Sequence, residues 1–92
     1  MTTEFSAQTR LIYAFPKGQG EEVQFSIKKF NQKIYGDIRI WFRSPNDHGI
    51  KPTKKGIFFL LNQTDELSRG LDRLRNLAIR VADNKFDPFS QE

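Results

Sequence analysis

The chain has 92 residues, of which 28% are charged, a formal net charge of +4 at pH 7 and no cysteine. A chain of this length folds as one domain with a thin core, and oligomerisation is a common source of additional stability. The lack of cysteine excludes a disulfide framework, a thiolate zinc site and a cysteine nucleophile.

The positive charge is concentrated in the middle of the chain. Residues 1–22 carry a net charge of −1, residues 23–57 one of +6 and residues 58–92 one of −1. A local positive field favours a polyanionic partner, although basic surfaces also serve solubility. No apolar run is long enough to cross a membrane and no secretory signal pattern opens the chain, so we expect an intracellular, soluble protein.

Residues 1–22 are predicted to form a flexible N-terminal arm. Leu11–Phe15 could add a short strand or pack as an arm, and the turn-forming residues Pro16–Gly20 would break it. A domain is predicted over residues 23–82, followed by an acidic and aromatic tail over residues 83–92.

Two alternating stretches predict neighbouring strands, Val23–Phe30 and Ile34–Arg43, joined by a two-residue hairpin loop at Asn31-Gln32. Side chains alternate between the faces of a strand, so one face of the hairpin is apolar. The opposite face of the hairpin carries Gln24, Ser26, Lys28, Phe30, Tyr35, Asp37, Arg39, Trp41 and Arg43. Rings interspersed with cations suit base stacking with phosphate neutralisation, and the alternative is a solvated strand face.

Residues 44–49 form a predicted loop, in which His48 is expected to be solvated rather than catalytic or metal-bound. Ile50–Lys55 contains Pro52, which predicts a short, irregular or edge strand. Its lysines either track a phosphate backbone or protect an edge against aggregation. The apolar run Ile57–Leu61 predicts a strand covered on both faces, by the helix of its own chain and by a second subunit.

A helix is predicted from Thr64 to about Ala82, with Asn62 or Thr64 as its cap and acidic residues in its first turn. Its apolar residues recur at spacings of four and three, and they favour dimerisation between helices. The predicted dimerisation residues are Phe59, Leu61, Leu67, Leu71, Leu74, Ala78 and Val81.

The C-terminal tail contains Asp83, Phe86, Asp87, Pro88 and Phe89. An acidic tail ending near Pro-Phe resembles the partner-docking tip of bacterial single-stranded DNA-binding proteins. A protein partner is therefore one expectation for the tail, and packing on the fold or simple fraying is the other.

The order of motifs from Val23 to Leu77 resembles the positive cofactor four family of transcriptional coactivators. The motifs are Asp37-Ile38-Arg39, the aromatic pair Trp41-Phe42, a loop containing Pro45, the basic stretch Lys51–Ile57 and a following helix. The resemblance implies an α+β fold with a four-stranded, strongly twisted antiparallel sheet and one long C-terminal helix. It also implies a homodimer through helix and sheet, with single-stranded DNA held across the strands of both subunits.

By position, the resemblance carries over the family's aromatic at Phe30, its arginine at Arg39 and its basic third strand. The family's stacking ring matches Phe42, whereas strict alternation places Trp41 on the open face, so both remain candidates. The chain departs from the family at Glu21 and Glu22, in a longer loop before Lys51 and in lacking a serine-rich arm.

The sequence thus predicts a non-enzymatic binder of single-stranded DNA, or of unwound duplex or RNA, that needs no cofactor and no metal. It would act in transcription regulation or in replication and recombination, and the alternative is a basic module that binds an acidic protein. A nuclease is disfavoured because few carboxylates accompany the basic face. The predicted DNA-binding residues are Lys28, Phe30, Lys33, Tyr35, Arg39, Trp41, Phe42, Arg43, Lys51, Lys54 and Lys55.

Overall fold

A computed structural model describes residues 8–46, 49–83 and 87–89. Within them the fold is α+β: four antiparallel strands in sequence order form one sheet and a single α-helix follows, which confirms the predicted fold class. The elements are β1 (Gln8–Gly18), β2 (Glu21–Phe30), β3 (Lys33–Arg43), β4 (Ile50–Leu60), a short 3-10 helix (Leu61–Gln63) and α1 (Thr64–Ala82).

Two tight turns set the register of the first three strands. Asn31 and Gln32 both have positive φ, 52° and 66°, and join Phe30 to its partner Lys33, which confirms the predicted two-residue loop. Gln19 and Gly20, with φ of 58° and 76°, connect β1 to β2 in the same way. Positive φ at both central residues is typical of the type I′ turn, whose twist matches that of the flanking strands.

The N-terminal strand is longer than the sequence suggests. Instead of a short strand between Leu11 and Phe15, β1 has 11 residues and continues through Pro16 to pair with β2. Proline is tolerated because β1 is an edge strand, where its missing N–H leaves no neighbouring strand unpaired. A register shift between Leu11 and Tyr13 accommodates Ile12 as a bulge. The boundary expected at residue 22 therefore falls inside a continuous sheet.

One strand also replaces the two stretches expected after the loop. β4 runs from Ile50 through Pro52 and Gly56 to Leu60 along the other edge of the sheet. A register shift between Arg39 and Trp41 marks a bulge in β4. Gly56 lets the strand approach β3 closely, because a Cβ there would lie 2.6 Å from the Ile38 carbonyl oxygen. The glycine thus joins the lysine-rich and apolar stretches into one element.

The strand pairing separates the side chains into two faces. The polar face carries Glu22, Gln24, Ser26, Lys28, Phe30, Lys33, Tyr35, Asp37, Arg39, Trp41, Arg43, Phe58 and Leu60, together with Leu11 and Ala14 of β1. The apolar face carries Tyr13, Phe15, Val23, Phe25, Ile27, Ile34, Ile38, Ile40, Phe42, Ile57 and Phe59, together with the charged residues Arg10, Glu21, Lys29 and Lys51. On the apolar face, the ring centroids of Tyr13 and Phe25 lie 5.7 Å apart in an edge-on arrangement.

The described residues contain no buried apolar side chain. The buried residues among them are Ser26, Gly36 and Asp37. Ile34, Phe42 and Ile57 on the apolar face remain exposed. Burial of apolar surface is the main favourable term in folding, so this surface calls for a further covering layer.

A short 3-10 helix directly precedes the long helix. The helix α1 spans Thr64–Ala82 as predicted, but its N-cap is Gln63 rather than Asn62 or Thr64, because the 3-10 turn leads into it. Asp65 and Glu66 occupy the first turn, where carboxylates oppose the helix dipole. Among the described residues, no helix combines the length and the hydrophobicity that a membrane crossing requires.

The hairpin turn of β2 and β3 gives a stability prediction. Gln32 adopts a left-handed conformation that costs a residue with a Cβ about 1 kcal/mol, and glycine avoids this cost. We therefore expect Gln32→Gly to raise the free energy of unfolding by about 0.5 to 1 kcal/mol in urea denaturation at fixed protein concentration. The control Gln24→Gly, in the interior of β2, should lower it instead. If Gln32→Gly lowered the free energy of unfolding, the left-handed conformation of Gln32 in this turn would be contradicted.

Candidate functional site

Cationic and aromatic side chains share one end of the polar face. Lys28 on β2 stands directly opposite Tyr35 on β3, and Phe30 stands opposite Lys33 at the turn. Phe30 and Lys33 are exposed, and Lys28 and Tyr35 are half-buried. Both rings thus lie beside ammonium groups on a surface that solvent reaches.

A buried carboxylate lies at the centre of the polar face. Asp37 is 2% exposed, and its Oδ1 accepts a hydrogen bond from Arg39 Nη2 at 2.7 Å. Arg39 Nε donates to Oδ1 and Oδ2 at 3.2 and 3.1 Å, and Lys28 Nζ lies 3.8 Å from Oδ2. A buried charge of this kind is tolerated only when it is paired and hydrogen-bonded. We call this arrangement the Asp37 clamp.

The side chain of Arg39 is occupied by hydrogen bonds within the sheet. Hydrogen bonding from its side chain to Asp37 raises the pKa of the Arg39 guanidinium, against an opposing effect of desolvation. The third nitrogen, Nη1, donates to the Thr53 carbonyl oxygen at 3.0 Å. Every nitrogen of the Arg39 guanidinium therefore has an acceptor inside the sheet, and its predicted contact with a phosphate would be a second use of the same group.

Thr53 fixes the bulge in β4. Its hydroxyl donates to the Ile40 carbonyl oxygen at 2.8 Å and accepts from the Lys55 N–H at 3.1 Å. Thr53 is therefore bound to β3 through both Ile40 and Arg39, and its contact with Lys55 holds the irregular part of β4 itself. Lys54 and Lys55, which are both exposed, lie in this segment. The bulge therefore presents two adjacent lysines from a constrained backbone.

The two aromatic candidates at the end of β3 point to opposite faces. Trp41 lies on the polar face opposite Glu22 and Pro52, whereas Phe42 lies on the apolar face opposite Glu21 and Lys51. The β2 and β3 pairing has no register shift, so no bulge there brings Phe42 round to the polar face. Of the eleven predicted binding residues, the pairing places seven on the polar face and Phe42 and Lys51 on the apolar face, whereas Lys54 and Lys55 lie within the bulge and are assigned to neither face.

The Trp41 end of the polar face is less basic than the turn end. Glu22 stands directly opposite Trp41, and its carboxylate accepts a hydrogen bond from Gln24 Nε2 at 2.9 Å. Arg43, which is exposed, is the cation two residues further along β3. The indole Nε1 of Trp41 is buried and has no acceptor among the described residues, so no hydrogen bond fixes the orientation of this ring.

Sequence reasoning missed two positions that the pairing reveals. Phe58 lies on the polar face, opposite Asp37, although the sequence placed it within a run covered on both sides. Lys29 lies on the apolar face, opposite Ile34. The register that pairs Gly56 with Arg39 assigns Phe58 to the face of Asp37 and Arg39, and the bulge in β4 prevents that register from being counted from the sequence.

The predicted dimerisation residues belong to two surfaces. Phe59 lies on the apolar face of the sheet, and Leu61 is in the short 3-10 helix. On α1, Leu67 is half-buried, whereas Leu71 and Leu74 are exposed. Ala78 and Val81 continue the exposed part of the stripe.

The tail and the loop are described only in part. Phe89 is 87% exposed, and its N–H donates to Asp87 Oδ1 at 2.9 Å. Phe86 and residues 90–92 of the predicted docking tail, together with Asp47 and His48 of the loop, lie outside the described residues. Within the described part of the chain, no group of three or more His, Cys, Asp or Glu side chains is placed to hold a metal ion.

Comparison with known proteins gives one family and one fold. Residues 17–69 match the model of the family described as Transcriptional Coactivator p15 (PC4). Among solved structures, the chain is similar to the bacteriophage T5 homolog of the eukaryotic transcription coactivator PC4, a protein implicated in recombination-dependent DNA replication. That likeness has a TM-score of 0.58 at 23% identity, over 86% of this chain and 88% of the phage chain. No curated protein sequence matches this chain.

The Asp37 clamp gives a prediction that can be checked without a ligand. Asp37→Asn removes the charge that Arg39 and Lys28 share, and the cations then remain on the polar face uncompensated. Since both cations are partly hydrated, we expect a loss of about 2 kcal/mol in the free energy of unfolding, measured with urea. The matched control is Glu66→Gln in the exposed pair with Arg69, which should cost less than about 0.5 kcal/mol. Equal effects would contradict a structural role for the clamp.

Proposed function

The chain belongs to the Transcriptional Coactivator p15 (PC4) family, and from this premise we propose that it is a non-enzymatic homodimer that binds single-stranded or locally unwound DNA. Its binding tolerates many sequences, because stacking on a ring and contact with a phosphate are available to every nucleotide. The protein acts inside the cell, in association with nucleic acid, and needs no cofactor.

One observation carries the proposal: rings and ammonium groups alternate on the polar face instead of segregating. Phe30 is 40% exposed beside Lys33, and Lys28 stands opposite Tyr35. A solvated face needs no exposed ring, and a core face needs no lysine. An unpaired DNA strand offers both bases, which stack on rings, and phosphates, which bind ammonium groups.

The contacts divide into two energetic contributions. A base that stacks on Phe30 or Trp41 contributes about 1 to 3 kcal/mol, with little dependence on salt. Lys33, Lys54 and Lys55 contribute phosphate contacts, whose strength falls as salt rises because binding releases counterions. Arg39 acts chiefly by supporting the bulge that carries the lysine pair. Phe42 and Lys51, on the other face, have a minor part.

The homodimer supplies the missing covering layer. Ile34, Phe42 and Ile57 on the apolar face are exposed in a single chain, and so are Leu71 and Leu74 on α1. A second copy buries them by joining helix to helix and sheet to sheet. Small proteins without a sufficient core of their own commonly fold only as such assemblies.

The process served is transcription, or DNA replication with recombination. The family description names a transcriptional coactivator, and the phage T5 protein is implicated in recombination-dependent DNA replication. All of these processes expose unpaired strands. A protein that recognises any unpaired strand can serve each of them without a change in its surface.

Oligonucleotide binding tests the proposed contacts. We expect Phe30→Ala with Trp41→Ala to weaken binding of a single-stranded oligonucleotide at every salt concentration in fluorescence anisotropy, by about tenfold or more. Lys54→Ala with Lys55→Ala should instead flatten the plot of log affinity against log salt by about 1.4, since each phosphate contact contributes about 0.7 on a single strand.

Controls separate the surface from the net charge and from misfolding. Arg73→Ala with Arg75→Ala removes the same charge from α1 and should leave the salt slope unchanged. Circular dichroism checks that each variant is folded. Unchanged binding in both double variants would overturn the assignment. Binding of an acidic peptide, but of no oligonucleotide, would support the alternative of a module for an acidic protein partner.

Introducing a charge into the apolar stripe of α1 tests whether the protein is a homodimer. Leu74 is 63% exposed in a single chain, so Leu74→Asp would barely affect a monomer. In the dimer it places a carboxylate within a buried apolar contact, and we expect the mass in analytical ultracentrifugation to fall from that of two copies to one. Asn76→Asp, two residues along and on another side of the helix, should keep the dimer. A wild-type monomer would contradict the proposal.

A further inference from the structure

A pair of stacked rings lies on the polar face, away from Trp41. Tyr35 on β3 and Phe58 on β4 have ring centroids 4.6 Å apart and planes inclined by 18°. Tyr35 is half-buried, whereas Phe58 is 50% exposed. Tyr35 thus supports a ring whose remaining surface is open to a ligand.

Ammonium groups surround this ring pair. Lys28 stands opposite Tyr35 across the β2 and β3 pairing, and Lys33 lies two residues before Tyr35 on the same face. The nearest carboxylate in the pairing, Asp37 opposite Phe58, is already bound by Arg39 and Lys28. The surroundings therefore offer an aromatic surface and cations, without a free anion to repel a phosphate.

We infer that the Tyr35 and Phe58 pair is a further base-stacking position, in addition to Phe30 and Trp41, at which a nucleobase of an unpaired nucleic-acid strand stacks on Phe58. The inference rests on the proposed function and adds a site to it. Phe58 pairs with Asp37, which is four residues along β3 from Trp41 and four from Lys33, the partner of Phe30; each separation corresponds to about 13 Å at about 3.3 Å per residue. Bases stacked directly on one another are about 3.4 Å apart, so the three positions hold non-adjacent bases of one strand.

The charge around this position favours a nucleic-acid strand over a second copy of the protein chain as its ligand. A symmetric contact through Phe58 would bring Lys28 and Lys33 of one copy near the same lysines of the other. Like charges held together in an interface cost free energy, whereas a phosphodiester backbone is attracted by the same groups. The polyanion therefore fits the position, and a protein contact is the alternative outcome.

Phe58→Leu is the test, because it keeps an apolar side chain but removes the ring. We expect it to weaken binding of a single-stranded oligonucleotide about tenfold, with an unchanged salt slope since no charge is lost. Phe58→Tyr, which keeps a stacking ring, should bind within about twofold of wild type. The decisive ligand is an oligomer of abasic sugar-phosphate units, for which wild type and Phe58→Leu should have equal affinity.

The outcomes separate this inference from the proposed function. If wild type binds no oligonucleotide, the proposed function fails. If the Phe30→Ala, Trp41→Ala variant binds weakly but Phe58→Leu binds as wild type, the stacking position at Phe58 is overturned and the proposed function remains. If Phe58→Leu changes the mass in ultracentrifugation, or weakens the abasic oligomer equally, Phe58 is a packing residue and the inference is overturned.

Discussion

The charge on Asp37 constrains the whole sheet. A carboxylate at 2% exposure is costly unless cations match it, and here Arg39 at 2.7 Å and Lys28 at 3.8 Å do so. Lys28 belongs to β2, Asp37 and Arg39 belong to β3, and Arg39 reaches the Thr53 carbonyl of β4. One carboxylate therefore connects three strands, and it determines which cations remain for a ligand.

The second constraint is the shortage of buried apolar surface. A sheet with one apolar face gains stability only if another layer covers that face, and the described part of the single chain buries no apolar side chain. In the proposed homodimer a second copy covers the apolar face and leaves the polar face free. Under the proposed function, assembly and ligand binding use opposite faces of the same four strands.

Local patterns predicted much of this fold. Alternation identified the two faces of β3, two residues of turn type identified the loop at Asn31 and Gln32, and apolar periodicity gave α1 from Thr64 to Ala82. The full length of β1 was missed because its strand character depends on pairing with β2, which residues within β1 do not encode. β4 was divided in two because Pro52 and Gly56 normally interrupt strands, whereas an edge position and close packing accommodate them here.

The sequence indicated which types of residue form the candidate site, but not on which face of the sheet each one lies or which residues it contacts. Alternation alone assigned Trp41 to the correct face of the sheet. The role of Arg39, in contrast, depends on its hydrogen bonds to Asp37 and Thr53, which lie on two different strands. Phe58 was overlooked because a continuous apolar run conceals which side each residue occupies. Such assignments need the register, and register across a bulge cannot be counted from the sequence.

The sequential order of the strands also bears on how the molecule assembles. Neighbours in the sheet are neighbours in sequence, and two turns of two residues close β1, β2 and β3. Short loop closures are fast, on the microsecond scale for a hairpin, whereas the meeting of two chains depends on their concentration. Refolding of the proposed homodimer should accordingly separate into an early phase that is independent of dilution and a late phase that slows with it.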